Sequence, residues 1–491
     1  MASNKQKSGV QAAGLASRIR EEHVFLALAL LFGLLWVFLI PPFQLPDEES
    51  HFIRAWSLSD GSLFIKTVKG PDGKLTAGGY MPVDVVELPD AMGARMIRRN
   101  PYRKYDFSLF REFVGRSFKM KPDYSQRVFA KTSAEMYSPI PYLPQAVGII
   151  AGRAFGAGPL ICYYLARISV MLAYALLVFL AVKTTPVGKN LFMIVGLLPM
   201  SVALSVSVGA DAITTGVVFL FTAYMLRLSL ADTGQPLTRG RIAAVFGLLA
   251  VVALLKQPYL VLALLVLAVP AERFRKRSSR YLFVASALLF TLAVSAAWNI
   301  PAIAITTAYR HDTGPSLIGN PIGQVGFIAT HPLDYLSALY NGIFHYRLQG
   351  EGRGLIRQFL GLLGWLDLVF PAFFYYFLGF FLLAQVLFSQ GLPHILPRGR
   401  AIMFLTSLAT AVGVATSMYL VNPVGSDTII GLQGRYFTPI APLALAAVSH
   451  LGIDAFDSTA CKVFRGPLFV GAVMAVALSF ATWYIGLRYY Y

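Results

Sequence analysis

The chain has 491 residues, 56% of them hydrophobic and only 13% charged, with a mean hydropathy of +0.61. A soluble globular protein carries about 25% charged residues, so an ordinary soluble enzyme is excluded. The excess of 42 Lys+Arg over 24 Asp+Glu could suggest a nucleic-acid partner. The basic residues are scattered among short loops between apolar runs with no aromatic platform, and in such a chain they set membrane topology instead.

A helix needs about 20 apolar residues to cross the hydrocarbon core of a bilayer. By that measure the sequence leads to an all-α polytopic membrane protein with about eleven spans, near 24–40, 160–182, 190–209, 212–230, 242–255, 258–270, 281–299, 359–388, 401–420, 437–452 and 467–487. Residues 1–23 form a cytoplasmic tail and 24–40 the first span. Pro41-Pro42-Phe43-Gln44 follows where small residues would mark a cleavage site, so that span is expected to stay as an anchor. Residues 41–159 form a large extracytoplasmic loop, in which the proline-broken stretch from Pro139 to Phe155 is expected to lie along the interface. Residues 160–491 form the multi-span domain, including a second outer loop at 301–357. Within it, Lys256-Gln257-Pro258 divides one apolar run into two short spans.

The basic cluster from Arg273 to Arg280, placed inside, brings most other loop cations to the same side. This gives a multi-pass protein of the bacterial inner membrane with a cytoplasmic N-terminus. The short inner loops hold no P-loop or dinucleotide-binding glycine pattern, so no nucleotide is expected. Half of the acids, 12 of 24, lie in the first outer loop, which is where chemistry is expected. Cys162 and Cys461 fall on opposite sides, so neither a disulfide nor a cysteine metal site is expected.

That loop opens with Pro46-Asp47-Glu48-Glu49-Ser50-His51-Phe52-Ile53-Arg54. A helix starting at Pro46 puts Asp47, His51 and Arg54 on one face, a general base beside an anion-binding group. The alternative is that the acids merely offset the helix dipole and the other two are solvated neighbours. Charges within spans or at their ends are costly and call for a reason. Arg167, Asp211, Lys256 and Arg435 are such charges, and the topology brings all four toward the side that holds Asp47. Together they suit a phosphate-bearing lipid. Against this, Asp211 is a natural helix cap, Lys256 and Arg435 can snorkel to headgroups, and Arg167 can pair with an acid. Asp367 is an acid inside an apolar stretch, suited equally to helix pairing, and Trp483, Tyr484 and Tyr489 to Tyr491 read as an interfacial belt.

PPFQLPDEESHFIRA after the first span, SPIPYLPQAVG, LARISVM, SVSVGADAITTG, KQPYL and QGRYFTP together resemble the GT-C class of integral membrane glycosyltransferases. Within that class they resemble a bacterial family of large multi-span proteins. The resemblance implies a transferase that moves a sugar from a polyprenyl-phosphate or polyprenyl-diphosphate donor to an envelope glycan or lipid acceptor, with no nucleic acid involved. It makes Asp47 the catalytic carboxylate and Glu48 a candidate metal or substrate ligand, with Mg or Mn as the candidate cofactor. Tyr142 would line the groove that admits the carrier lipid. His51, Arg54, Arg167, Asp211, Lys256, Gln433, Arg435 and Tyr436 complete the expected substrate and phosphate site. Two functions compete with this one: a flippase or transporter of lipid-linked glycans, which would use the same cationic groove without making a bond, and a glycan ligase or polymerase acting on polyprenyl-linked chains.

Overall fold

Where water is excluded, an apolar run folds as a helix because only then are its backbone N–H and C=O groups all satisfied within the segment. In a computed structural model, which describes residues 19–64, 66–69, 75–98, 100, 102–134, 137–231, 235–312, 320–344, 354–388, 397–449 and 459–491, the chain is mostly helical. Most of the expected tail at 1–23, and residues 313–319 and 345–353 of the expected loop 301–357, lie outside the described residues.

The helices used below are α1 (Glu21–Leu39), α2 (Glu48–Ser59), α3 (Leu143–Ala154), α4 (Pro159–Thr184), α5 (Asp211–Leu230), α6 (Arg239–Ala253), α7 (Arg277–Asp312), α8 (Ala372–Leu387), α9 (Pro397–Tyr419) and α10 (Pro467–Tyr489). Among the described residues six are long and apolar enough to cross a membrane: α1, α4, α5, α7 as far as Ile303, α9 from Arg398, and α10.

The sequence leads to eleven spans, and prolines account for most of the difference. A proline inside a helix lacks the N–H donor and clashes with the preceding turn. The stretch 190–209 divides at Pro199 into Lys189–Leu197 and Pro199–Ser205. The stretch 359–388 divides into Leu355–Leu360, a turn region closed by a Leu363–Leu368 bridge, and α8, which follows Pro371. The stretch 437–452 is a 3-10 turn over Gly434–Ile440 containing Pro439, followed by Ala441–Val448. After α6 the chain breaks at Lys256 and continues as a 3-10 helix, Gln257–Ala268. At about 2.0 Å rise per residue, those twelve residues extend over about 24 Å, more than an α-helix of equal length.

The loop after α1 departs from an all-α chain. It contains a three-stranded antiparallel sheet in the order β1 (Lys66–Lys69), β2 (Leu75–Pro82), β3 (Arg127–Lys131), with β2 paired to both neighbours. An apolar cluster that includes Phe43, Phe52, Trp56, Met81, Ile149 and Tyr163 joins the sheet and α2 to α3 and α4. Helix α3 reaches α4 closely because two glycines four residues apart face it. A Cβ on Gly148 would stand 2.4 Å from the Leu165 carbonyl oxygen, and one on Gly152 would stand 2.8 Å from Cys162 Sγ. The expected interfacial helix is thus a helix, bedded on one side against α4. At the far end of the chain, the Tyr489 carbonyl accepts the Tyr105 N–H at 2.7 Å and the Tyr489 side chain is buried. Tyr489 therefore binds the last helix to this loop and does not belong to an exposed aromatic belt, whereas Trp483 is exposed.

Helix α5 runs through the middle of the bundle and is buried along most of its length. Its twenty residues span about 30 Å, so Asp211 and Leu230 mark opposite ends of the bundle.

Candidate functional site

The segment between α1 and α2 carries three prolines, Pro41, Pro42 and Pro46, and ends at Asp47 with φ 62°. Asp is one of the few side chains that tolerates this left-handed region. The helix consequently begins at Glu48, two residues later than a start at Pro46. The Asp47 carbonyl accepts the His51 N–H at 3.1 Å, and the Asp47 side chain remains 49% exposed.

Three distant elements bring their charges to Asp47. Asp211 is the first residue of α5, Lys256 stands at the break after α6, and Arg435 lies in the first turn of Gly434–Ile440. Arg435 Nη2 donates to Asp47 Oδ2 at 3.3 Å, while its Nη1 is 3.8 Å from Asp211 Oδ2. Lys256 Nζ donates to Asp211 Oδ1. The Tyr436 ring lies 5.1 Å from Lys256 Nζ and 5.3 Å from the Arg435 guanidinium carbon, and Tyr137 lies 5.6 Å from Nζ, so both cations rest on aromatic faces. Two carboxylates and two cations balance one another, which makes a buried cluster tolerable. Arg435 Nε is buried with no hydrogen-bond partner among the described residues.

His51 Nδ1 is 2.6 Å from the Tyr142 hydroxyl, and its ring lies 5.7 Å from that of Tyr137. Burial pushes the imidazole from its ordinary value down to about 4; Asp47 and Asp211 oppose this, and Lys256 and Arg435 add to it. At neutral pH His51 is an uncharged hydrogen-bonding group. The accessible part of the site is the Asp47 carboxylate, backed by an almost fully covered guanidinium that rests on an aromatic face. Such a constellation can take a proton from a hydroxyl and hold an anion.

The family described as predicted membrane protein (DUF2142) matches residues 30–444. The chain belongs to the DUF2142 family. No curated protein matches it. In this DUF2142 protein the match begins inside α1 and ends beyond the Gly434–Ile440 turn, so it takes in the whole cluster from Asp47 to Tyr436.

Of the residues singled out from the sequence, the DUF2142 chain brings together Asp47, His51, Tyr142, Asp211, Lys256, Arg435 and Tyr436. Glu48 and Arg167 are close behind them but closed on each other. Arg167 Nη2 donates to Glu48 at 3.1 Å, both side chains are fully buried, and Glu48 also accepts from the amides of Leu45 and Val208. Arg167 further donates to the carbonyls of Val37 and Ile40. This pair fastens α4 to the turn between α1 and α2 and leaves neither residue facing a substrate. The expectation of Glu48 as a metal or substrate ligand, and of Arg167 as a phosphate ligand, does not fit these contacts. Among the described residues no three His, Cys, Asp or Glu side chains gather as a ligand set, and the residues present do not fit a divalent cation at Glu48.

Arg54 is on the expected face of α2, one turn beyond His51, but it is buried and donates to the carbonyls of Ser62, Leu63 and Tyr137. It shapes the wall of the site and does not enter it. Gln433 is next to the cluster in the chain, with its Oε1 buried and without a hydrogen-bond partner among the described residues. Asp367 pairs with Arg488 at 2.6 Å, both buried, so of its two roles it takes the structural one. Two residues of the cluster are not evident from charge alone: Tyr137, and Tyr259, whose hydroxyl donates to the Tyr436 carbonyl at 2.8 Å. The available signal was position, since Tyr137 precedes SPIPY and Tyr259 lies within KQPYL.

Proposed function

We propose that this protein is a GT-C-type integral membrane glycosyltransferase of the bacterial inner membrane, using a polyprenyl-phosphate-linked sugar as donor. One observation carries the reading: Asp47, half exposed, stands 3.3 Å from a guanidinium that a separate segment delivers to it. The acceptor hydroxyl oxygen bonds to the anomeric carbon as the bond from that carbon to the phosphate oxygen breaks. The hydroxyl proton passes to Asp47, and the electron pair leaves with the polyprenyl phosphate, steadied by Arg435 and Lys256. Phosphate is a good leaving group, so no second acid is required, and the displacement inverts the anomeric carbon. Neutral His51, bonded to Tyr142, serves as a hydrogen-bonding group toward the sugar. The cations of the loops at the Leu230 end of α5 support placing that end in the cytoplasm and Asp47 outside, with the proline-broken segments completing about eleven crossings.

The test is a panel of polyprenyl-phosphate sugars presented to the purified protein with envelope lipid and glycan acceptors, following release of free carrier. Release by wild type that Asp47→Asn abolishes supports the transferase. Tight lipid binding with no release in either protein turns the reading to a flippase or transporter.

A further inference from the structure

A cavity of about 590 Å³ lies at the end of the bundle away from Asp47, bounded by the C-terminal turns of α5, the 3-10 helix Gln257–Ala268 and the starts of α7 and α9. Its walls include Leu226, Leu265, Ile402 and Met403, and two arginines, Arg280 and Arg398, also line it. Arg280 and Arg398 stand at the starts of two membrane-length helices, and Leu230 at the end of a third. The cavity is therefore at the level where hydrocarbon gives way to headgroups, a full α5 length from the Asp47 cluster.

We infer that this cavity is a binding site for an anionic phospholipid, with a phosphate held between Arg280 and Arg398 and an acyl chain against the apolar walls. Arg280 is already oriented: its Nε donates to the Val269 carbonyl at 3.3 Å and its Nη2 to the Leu267 carbonyl at 3.1 Å, which leaves Nη1 for a ligand. The Arg398 side chain has no partner among the described residues and is exposed. Glu272 also lines the cavity, but two cations there outweigh one carboxylate, and Arg275, Lys276 and Arg277 are exposed nearby. Charge complementarity selects an anionic headgroup, and the apolar walls select a lipid over a soluble phosphate. The site is independent of the transferase reading, because it lies on the opposite face and shares no residue with it.

The experiment is native mass spectrometry of the full chain in detergent, offered phosphatidylglycerol and phosphatidylcholine of the same acyl chains, with glycerol phosphate as a soluble competitor. Wild type retains phosphatidylglycerol in about tenfold preference. Ile402→Trp fills the cavity and Arg398→Gln removes one cation at an exposed side chain; each abolishes most of that preference, whereas Lys276→Gln, outside the cavity, leaves it intact. Equal retention of the two lipids by wild type overturns the proposal. So does a preference that survives both cavity variants, one that Lys276→Gln abolishes equally, or displacement of the lipid by glycerol phosphate.

Discussion

Asp47 and Arg435 are separated by 388 residues of sequence and meet at 3.3 Å, Oδ2 to Nη2, with the aspartate half exposed and the arginine almost fully covered. The asymmetry divides their roles: the carboxylate can reach a bound molecule, while the guanidinium is held in place by what surrounds it. Asn fits the left-handed backbone at position 47 as readily as Asp does. Asp47→Asn is accordingly expected to lower transfer by about 10²- to 10⁴-fold while leaving the thermal midpoint in detergent near that of wild type. Carrier release, measured beside a melting curve, checks both halves. An Asp47→Asn protein with full transfer removes the base from this position.

Arg435 turns one planar fork toward two carboxylates, Asp47 at 3.3 Å and Asp211 at 3.8 Å. A lysine ammonium keeps the charge but loses the fork. Arg435→Lys should therefore cost about 10²-fold in transfer with a modest change in stability, comparable to removing one oriented donor from a developing anion. Donor titrations of the two proteins check it. Equal rates at every donor concentration would show that the charge suffices and the fork is dispensable.

The charged members of the cluster were legible in the sequence because a charge at a span end is expensive and must be answered by something. Arg167, Asp211, Lys256 and Arg435 stand out in this way in a chain with few charges, although Arg167 turns to Glu48, and Asp47 stands out in the acidic run after α1. Burial and partners were not legible. Glu48 and Arg54 lie within seven residues of Asp47 with similar chemistry, yet the positive φ at Asp47 turns Glu48 inward to Arg167, and the carbonyls of Ser62, Leu63 and Tyr137 take up Arg54. A backbone torsion leaves no trace in residue spacing. The helices followed the same rule: apolar length alone located α1, α4 and α10, whereas Pro199, Pro371 and Pro439 divided runs that hydropathy averages over. The small sheet leaves little signal in the sequence because its strands, of four, eight and five residues, are short and partly polar.

The Glu48–Arg167 pair is fully buried, so removing one partner strands a charge. Glu48→Gln is expected to destabilise the protein by about 3–5 kcal/mol, and the double variant Glu48→Met with Arg167→Met to regain much of that. Unfolding in detergent separates the two. If the double variant is no more stable than Glu48→Gln, the remaining contacts of Arg167 with the Val37 and Ile40 carbonyls matter more than its charge.

His51 has a pH signature whose sign follows from burial. Folded, it binds a proton only near pH 4; unfolded, it binds one near its ordinary 6.5. Between those values the unfolded chain holds the extra proton. The contribution of His51 to stability is complete above about 6.5, declines as pH falls toward 4, and is flat below that. The thermal midpoint of wild type should therefore fall between pH 7 and pH 4.5, and His51→Gln should remove that part of the slope. The transfer rate should show no ionisation near 6.5 that depends on His51. A slope identical in the two proteins would mean that the imidazole is not held neutral.

Gly434 positions Arg435 through backbone packing. A Cβ at this residue would stand 1.9 Å from the Leu355 carbonyl oxygen and 2.6 Å from the Phe359 nitrogen, and its N–H donates to Gln358 Oε1 at 2.9 Å. The backbone of the helix Leu355–Leu360 thus presses directly on the turn that carries the guanidinium. Neither neighbour is a flexible tip, so Gly434→Ala must move one segment away from the other. Transfer is expected to fall about as far as in Arg435→Lys, roughly 10²-fold, because a displacement of about 1 Å at an oriented group has an effect of that size. The thermal midpoint should fall as well, which distinguishes this variant from Arg435→Lys. Combining the two substitutions tests the connection: if Gly434 acts by placing Arg435, the double variant loses little more than either single one, whereas independent losses would multiply.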